Sequence, residues 1–82
     1  MQMEWLTKRI NLHTVEAAHL YEGKPFGRNN PAWERLKGQM VEGDQLWEFS
    51  SPADHWQHLC GRAGIALVRD GKILDSLVTM MN

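Results

Sequence analysis

The stretch AGIALVRDGKILDSLVT, residues 63–79, decides the fold that we predict for this chain. Two runs rich in branched apolar side chains flank the pair Asp70-Gly71. An Asp-Gly pair between apolar runs favours a two-residue hairpin turn, in which both residues adopt positive φ. The pattern therefore predicts a β-hairpin with one strand over 63–68 and the other over 73–79.

Both faces of the predicted hairpin are apolar. A hairpin with one face in water shows a cleaner alternation of apolar and polar residues. We therefore expect that helices cover both faces or that one face meets another chain, where Met80 and Met81 add adaptable apolar surface. The expected cross-strand pairs are Val68 with Ile73, Ala66 with Asp75 and Gly64 with Leu77 on one face, and Leu67 with Leu74 and Ile65 with Ser76 on the other.

Further strands and short helices are predicted before the hairpin. Residues 8–13 alternate, with Ile10 and Leu12 on one side, and residues 44–51 are rich in aromatic strand formers. Capping residues mark three helices. Their predicted bounds are 15–22 with Thr14 as the cap, a helix from Asn30 to a stop at Gly43, and a helix that follows the cap Ser51.

These elements indicate an α+β fold in a single domain over residues 1–82. We predict a small antiparallel sheet, built from the C-terminal hairpin and one or two further strands, with two or three short helices packed on it. The helices are expected to pack through apolar side chains at helical spacing. These are Trp33, Leu36, Met40, Trp56 and Leu59.

The composition limits the classes of partner. Nine lysines and arginines against ten acidic residues give a net charge of −1, which does not require a nucleic-acid or membrane partner. No apolar run approaches the roughly 20 residues that span a bilayer, and residues 1–10 lack a secretory pattern. We therefore expect a cytoplasmic protein without a membrane partner.

The third predicted helix carries a polar stripe. Asp54, His55, His58 and Arg62 gather on one arc of the helix, which is typical of a solvated face. A structural zinc needs four ligands, and Cys60 is expected to face the core as an inert thiol. We predict no metal, and an enzyme with this His/Asp/Arg cluster is the least favoured of our hypotheses.

The loop over residues 23–30 is a second candidate site. Lys24 and Arg28 flank the aromatic ring of Phe26, a set able to grip a phosphate, an unpaired base or an acidic peptide. With Arg62 and Arg69 these residues form the predicted binding set of a nucleic-acid or nucleotide binder. The other interpretation is a connector in which Phe26 plugs the core. The loop matches neither a Walker loop nor a dinucleotide fingerprint, and we predict no cofactor.

The second half of the chain resembles a group of small uncharacterised bacterial proteins. The resemblance rests on residues 43–52, Trp56, residues 61–64, Leu67-Val68-Arg69 and Gly71, with a closing Thr79 and Asn82. It implies a bacterial, cytoplasmic setting and an α+β domain, and it brings no activity or cofactor.

No convergent catalytic set is visible in the sequence. The favoured hypothesis is therefore a non-enzymatic protein-interaction module that binds a protein partner or associates with itself as a homodimer. The nucleic-acid or nucleotide binder is the alternative.

Overall fold

Four antiparallel strands form the main sheet of the computed structural model, which describes residues 2–81 and has the predicted α+β fold. Met1 and Asn82, the latter quoted in the resemblance, lie outside the described residues. The main sheet has the order β1-β4-β5-β6, and β2 and β3 form a separate two-stranded sheet. The strands are β1 (Leu6–Ile10), β2 (Leu20–Tyr21), β3 (Lys24–Pro25), β4 (Gln45–Ser50), β5 (Arg62–Arg69) and β6 (Lys72–Met81).

Short helices fill the connections between the strands. α1 (Leu12–Ala18) and α2 (Asn30–Gly38) lie between β1 and β4, and α3 (Ala53–Gln57) lies between β4 and β5. Turns of 3₁₀ helix cover Met3–Trp5 and Gly27–Asn29.

The β5–β6 hairpin confirms the predicted turn. Asp70 and Gly71 have φ values of 51° and 76°, as a two-residue turn of this kind needs. The first predicted pair, Val68 with Ile73, is also confirmed.

The remaining predicted pairs are wrong by one position, because Leu74 forms a bulge and has no partner on β5. A bulge inserts one residue into one strand and leaves it unpaired. The shift places Leu77 opposite Ile65, where Leu77 joins the core. The observed pairs are Leu67 with Asp75, Ala66 with Ser76, Ile65 with Leu77 and Gly64 with Val78.

The central strand β5 is buried on both faces, since every residue from Gly64 to Val68 is buried. On one face, α1 and α2 supply Val15, Trp33 and Leu36 to a core that also holds Ile65 and Leu67. Leu46, Phe26 and Leu77 complete this cluster.

The second face of the sheet carries a thinner cover. Met3 and Val68 line one groove on this face, and Trp5, Phe49 and His55 line another. The Trp5 ring meets the His55 ring edge-on at 5.5 Å. Helical segments therefore lie on both sides of β5, whereas Leu77 is the only buried residue of β6 among residues 72–81.

The N-terminal boundaries differ from the prediction. The first strand ends at Ile10, and Leu12 begins α1. The reason is that the Asn11 side chain accepts a hydrogen bond from the Thr14 N–H at 2.7 Å, so Asn11 is the cap in place of Thr14. The helix also ends at Ala18, before the predicted 22, because Leu20–Tyr21 pairs as a strand.

The buried residues of the second helix agree with the prediction, but the residues at its two ends differ from it. Trp33 and Leu36 are buried as expected. Asn30 is helical, and its side-chain amide donates to the Pro25 carbonyl at 3.0 Å, which ties the helix to β3. The helix ends at Gly38, while Gly43, with a φ of 94°, serves the turn before β4.

The third helix is shorter than predicted. Ser51 does not cap it, because its hydroxyl oxygen accepts from the Arg62 N–H at 2.9 Å and so joins the two strands that flank the helix. The helix ends at Gln57, and Leu59 has a φ of 60°. Its side chain is therefore 75% exposed, and the prediction that Leu59 packs against the sheet is wrong.

Replacement of Gly64 by alanine tests the packing of the hairpin. A Cβ at this position would collide with the Leu77 carbonyl oxygen. We expect Gly64→Ala to lower the free energy of unfolding by about 1–3 kcal/mol, the usual cost of overpacking. Urea unfolding followed by tryptophan fluorescence measures the change.

Gly38→Ala is the matched control. No atom lies within 4 Å of a Cβ built there, and a compatible Gly→Ala change stabilises by about 0.4–1 kcal/mol. Equal stabilities for the two variants would contradict the close approach at Gly64.

Candidate functional site

A surface groove of about 540 Å³ lies between the β2–β3 hairpin and the end of β6. We call it the hairpin groove. Ala18, His19 and Leu20 border it on one side, and Thr79 of β6 borders it on another. The remaining lining residues are Tyr21, Phe26, Arg28 and Asn29.

Phe26 forms the apolar floor of the hairpin groove. Its side chain is only 9% exposed and belongs to the core, which agrees with the connector interpretation. The ring stacks on His19 at 4.5 Å and lies 4.8 Å from the Trp33 ring. Because Phe26 is held between these two rings, it gives the groove a rigid base in place of a mobile stacking platform.

His19 is fixed by its surroundings. Its Nδ1 lies 2.9 Å from the Val15 carbonyl oxygen, and its own carbonyl accepts from the Phe26 N–H at 2.7 Å. A ring nitrogen that faces a carbonyl carries the proton, so Nε2 is the nitrogen left for other contacts.

The Glu16 carboxylate links the two helices next to the groove. The Glu16 side chain accepts from Trp33 Nε1 and from Lys37 Nζ, both at 2.9 Å. The Trp33 N–H, followed by the Lys37 ammonium, lowers the pKa of Glu16. This contact joins α1 to α2 and so positions the segment that carries His19.

One cation lines the groove, a second lies on the strand beside it, and neither forms an ion pair within residues 2–81. Lys24 lies on β3 directly opposite Tyr21, and Arg28 lines the groove itself. Among residues 2–81, neither forms a salt bridge or a side-chain hydrogen bond. Both side chains are exposed, so they are available to an anionic group of a ligand.

Two apolar side chains on the same hairpin face solvent. Leu20 is 56% exposed and Tyr21 is 71% exposed. They were placed inside a helix by the sequence prediction and were missed as site residues. The sequence carries no strong signal for this hairpin. Glu22-Gly23 is not one of the pairs that favour a two-residue turn, although both residues have positive φ, and Lys24 and Pro25 are poor strand formers.

Arg69 of the predicted binding set is engaged elsewhere. Its guanidinium donates twice to the Asp44 carboxylate, each time at 2.8 Å, and once to the Gln39 carbonyl. Hydrogen bonds from Arg69 and then from the Val41 N–H lower the pKa of Asp44 to about 2. This pair closes the turn before β4 onto the end of β5.

Arg62 lies at a different groove, with a volume of about 390 Å³, on the second face of the sheet. The five predicted binding residues therefore do not form one site. Phe26 and Arg28 line the hairpin groove, and Lys24 lies on β3 opposite Tyr21. Arg62 borders this second groove, and Arg69 bonds Asp44.

The polar cluster on α3 is only partly assembled. His55 and Arg62 line the second groove together with Cys60. His58 turns back on its helix, with Nδ1 2.7 Å from the Asp54 carbonyl oxygen. No group of three or more His, Cys, Asp or Glu side chains within residues 2–81 is arranged to hold a metal ion.

The prediction that Cys60 is buried is wrong, since its thiol is exposed. The helical projection fails there because the helix ends before Leu59 adopts positive φ. In the described part of the chain, no helix is long and apolar enough to cross a membrane.

Comparisons with known proteins give no relative: the chain matches no protein-family model, no curated protein and no solved structure.

The Asp44–Arg69 pair predicts a pH dependence. The folded-state pKa of Asp44 is depressed from 3.8 to about 2, so this carboxylate stabilises the fold above pH 4 and the contribution is lost as pH falls through about 2. We expect Asp44→Asn to lower the unfolding midpoint at pH 7 and to flatten its pH dependence in that window. Thermal unfolding between pH 2 and 7 measures both effects.

Asp54→Asn is the control for the loss of an acidic charge, because the Asp54 side chain is exposed and makes no ion pair in the described chain. An equal loss of stability in the two variants would contradict the structural role of Asp44.

Exposure of Cys60 predicts a simple chemical result. In the native protein without denaturant, we expect an aromatic disulfide reagent to titrate one thiol per chain, since Cys60 is the only cysteine. Cys60→Ser gives the blank. A thiol that appears only in guanidinium chloride would contradict this placement.

Proposed function

We propose that the protein is a non-enzymatic protein-interaction module and that the hairpin groove is its partner-binding surface. The observation that carries the proposal is the pair of exposed apolar side chains, Leu20 and Tyr21, beside a groove with the buried Phe26 as its floor. Exposed apolar side chains around a concave site are typical of surfaces that bind other proteins.

The groove chemistry favours a partner segment that is apolar and acidic. Leu20 and Tyr21 offer surface for an apolar side chain, and Arg28 and Lys24 offer two cations for carboxylates. Tyrosine and arginine are also enriched among the residues that dominate binding energy at protein interfaces. Charge complementarity of this kind selects partners and raises the association rate.

A protein partner accounts for these features better than the alternatives. A nucleic-acid strand would require a shared basic face and a series of open aromatic rings, whereas Arg62 and Arg69 lie away from the groove and, within the described chain, Tyr21 is the only exposed ring that lines it, since Phe26 is buried. An enzyme would require the α3 polar residues to converge, and His58 bonds its own helix. The bacterial, cytoplasmic setting of the proposal rests on the sequence resemblance.

Removal of the apolar pair tests the proposal. We expect immobilised wild-type protein to retain specific proteins from a bacterial extract, and Leu20→Ser/Tyr21→Ser to retain them at least about tenfold less, the loss expected for two contacts of about 1 kcal/mol each. Quantitative mass spectrometry after nuclease treatment measures retention.

Val41→Ser is the matched control, because Val41 is 57% exposed and borders none of the grooves described above. Exposed substitutions of this kind change stability by only about 0.5 kcal/mol, so all three proteins should unfold at similar urea concentrations. Identical retention by the groove variant and the control would overturn the proposal, as would retained material that disappears on nuclease treatment.

A further inference from the structure

The outer edge of β6 is the longest unpaired strand edge in the described structure. The order β1-β4-β5-β6 leaves the second side of β6 without a strand among residues 2–81. β6 has ten residues, whereas the opposite outer strand, β1, has five. An open edge of this length offers a row of backbone groups to another strand.

The hydrogen bonds of Ser76 show which groups face outward. Its N–H donates to the Asp75 carboxylate at 2.8 Å, so this N–H points to the outer side of β6, and a strand that pairs with the edge would replace the Asp75 bond. Alternate residues of an antiparallel strand direct their N–H and C=O to the same neighbour. The pairing irregularities lie at Leu74 and Thr79, so residues 75–78 pair regularly with β5. The backbone N–H and C=O of Val78, two residues after Ser76, therefore also point outward.

Apolar side chains flank this central stretch. Leu74 is 44% exposed, and Met80 and Met81 are 61% and 66% exposed. They lie on both sides of Leu77, so a strand paired at this edge would meet apolar side chains at each end.

We infer that the edge of β6 pairs with β6 of a second copy, in an antiparallel register with its two-fold axis at Leu77. In this register, Ser76 of one copy faces Val78 of the other, so outward backbone groups meet outward backbone groups. Leu74 then lies opposite Met80 of the second copy, and the exposed apolar side chains cover one another. The inference does not depend on the proposed function of the hairpin groove.

The other two-fold registers that match outward groups are poorer. An axis at Ser76 would place the charged Lys72 opposite Met80. An axis at Val78 would place Leu74 opposite the polar Asn82 and shorten the overlap of the described residues to 75–81. Self-complementarity of sequence therefore selects Leu77 as the centre.

Charge repulsion does not oppose this pairing. Asp75 is the only charged residue from 73 to 81, and in the Leu77 register it lies opposite Thr79 of the second copy. The two Asp75 residues are then four positions apart along the strands, about 14 Å at the usual rise. This exceeds the Debye length of about 8 Å at physiological salt, so their repulsion is largely screened.

Sedimentation velocity of the full chain tests the inference. Between about 1 and 300 µM, we expect wild-type protein to shift from monomer to dimer, as mass action requires. The variant Leu74→Lys/Met80→Lys places lysines opposite each other at both ends, so we expect dimerisation at least about tenfold weaker. Val41→Lys controls for added charge away from the edge.

A charge swap tests the register itself. Leu74→Lys/Met80→Glu places opposite charges across the axis, so we expect its dimerisation to return to within about threefold of the wild type. All substituted positions are exposed. As a readout without mutation, hydrogen exchange of the Ser76 and Val78 amides should slow in wild-type protein as concentration rises.

Several outcomes would overturn the inference. These are a wild-type monomer throughout the concentration range, a dimer that the paired lysines do not weaken, and a charge swap that fails to restore association. A monomeric protein whose captured partners are still lost on Leu20→Ser/Tyr21→Ser would overturn this inference and leave the proposed function standing.

Discussion

The burial of β5 on both faces is the constraint on which the structure depends. A chain of 82 residues has little apolar surface to spare, yet all five residues from Gly64 to Val68 are buried. The size of the side chains along the strand differs between its two faces. Ile65 and Leu67 face the thick layer of α1 and α2, while Gly64, Ala66 and the larger Val68 face the thin layer formed by a 3₁₀ turn and α3. The small residues Gly64 and Ala66 reduce the cover that this face needs.

The hairpin groove is an extension of that core. Trp33, fully buried against the sheet, touches Phe26, and Phe26 in turn stacks on His19 at the surface. The indole N–H of Trp33 also bonds Glu16, so α1 and α2 are fixed to each other at the wall of the groove. A rigid, preformed site loses less conformational entropy on binding than a mobile loop does. The Lys24–Arg28 segment therefore presents a preformed binding surface.

The sequence predicts the parts of the fold that have strong local signals, and it misses those that tertiary contacts decide. Asp70-Gly71 fixes the hairpin because few other pairs accept two positive φ values. No local sequence pattern marks the bulge at Leu74. The bulge shifts the register by one residue and so places Leu77 opposite Ile65 in the core. Leu59 likewise adopts positive φ without being glycine, which a helical projection cannot show. For the groove, the loop composition predicts Lys24 and Arg28 as binding residues. Leu20 and Tyr21 are missed because the predicted helix extends to residue 22, whereas the observed helix ends at Ala18.

The two outer strands of the sheet differ in a way that bears on association. β6 is long, and after its first residue, Lys72, it carries a single charged side chain, Asp75, whereas β1 is short and exposes Lys8 and Arg9. Charged side chains on a short edge discourage the addition of further strands. Pairing through β6 would leave a β1 strand at each end of a continuous sheet. Because a two-fold contact uses the same surface on both copies, the assembly closes at two chains instead of growing into a filament.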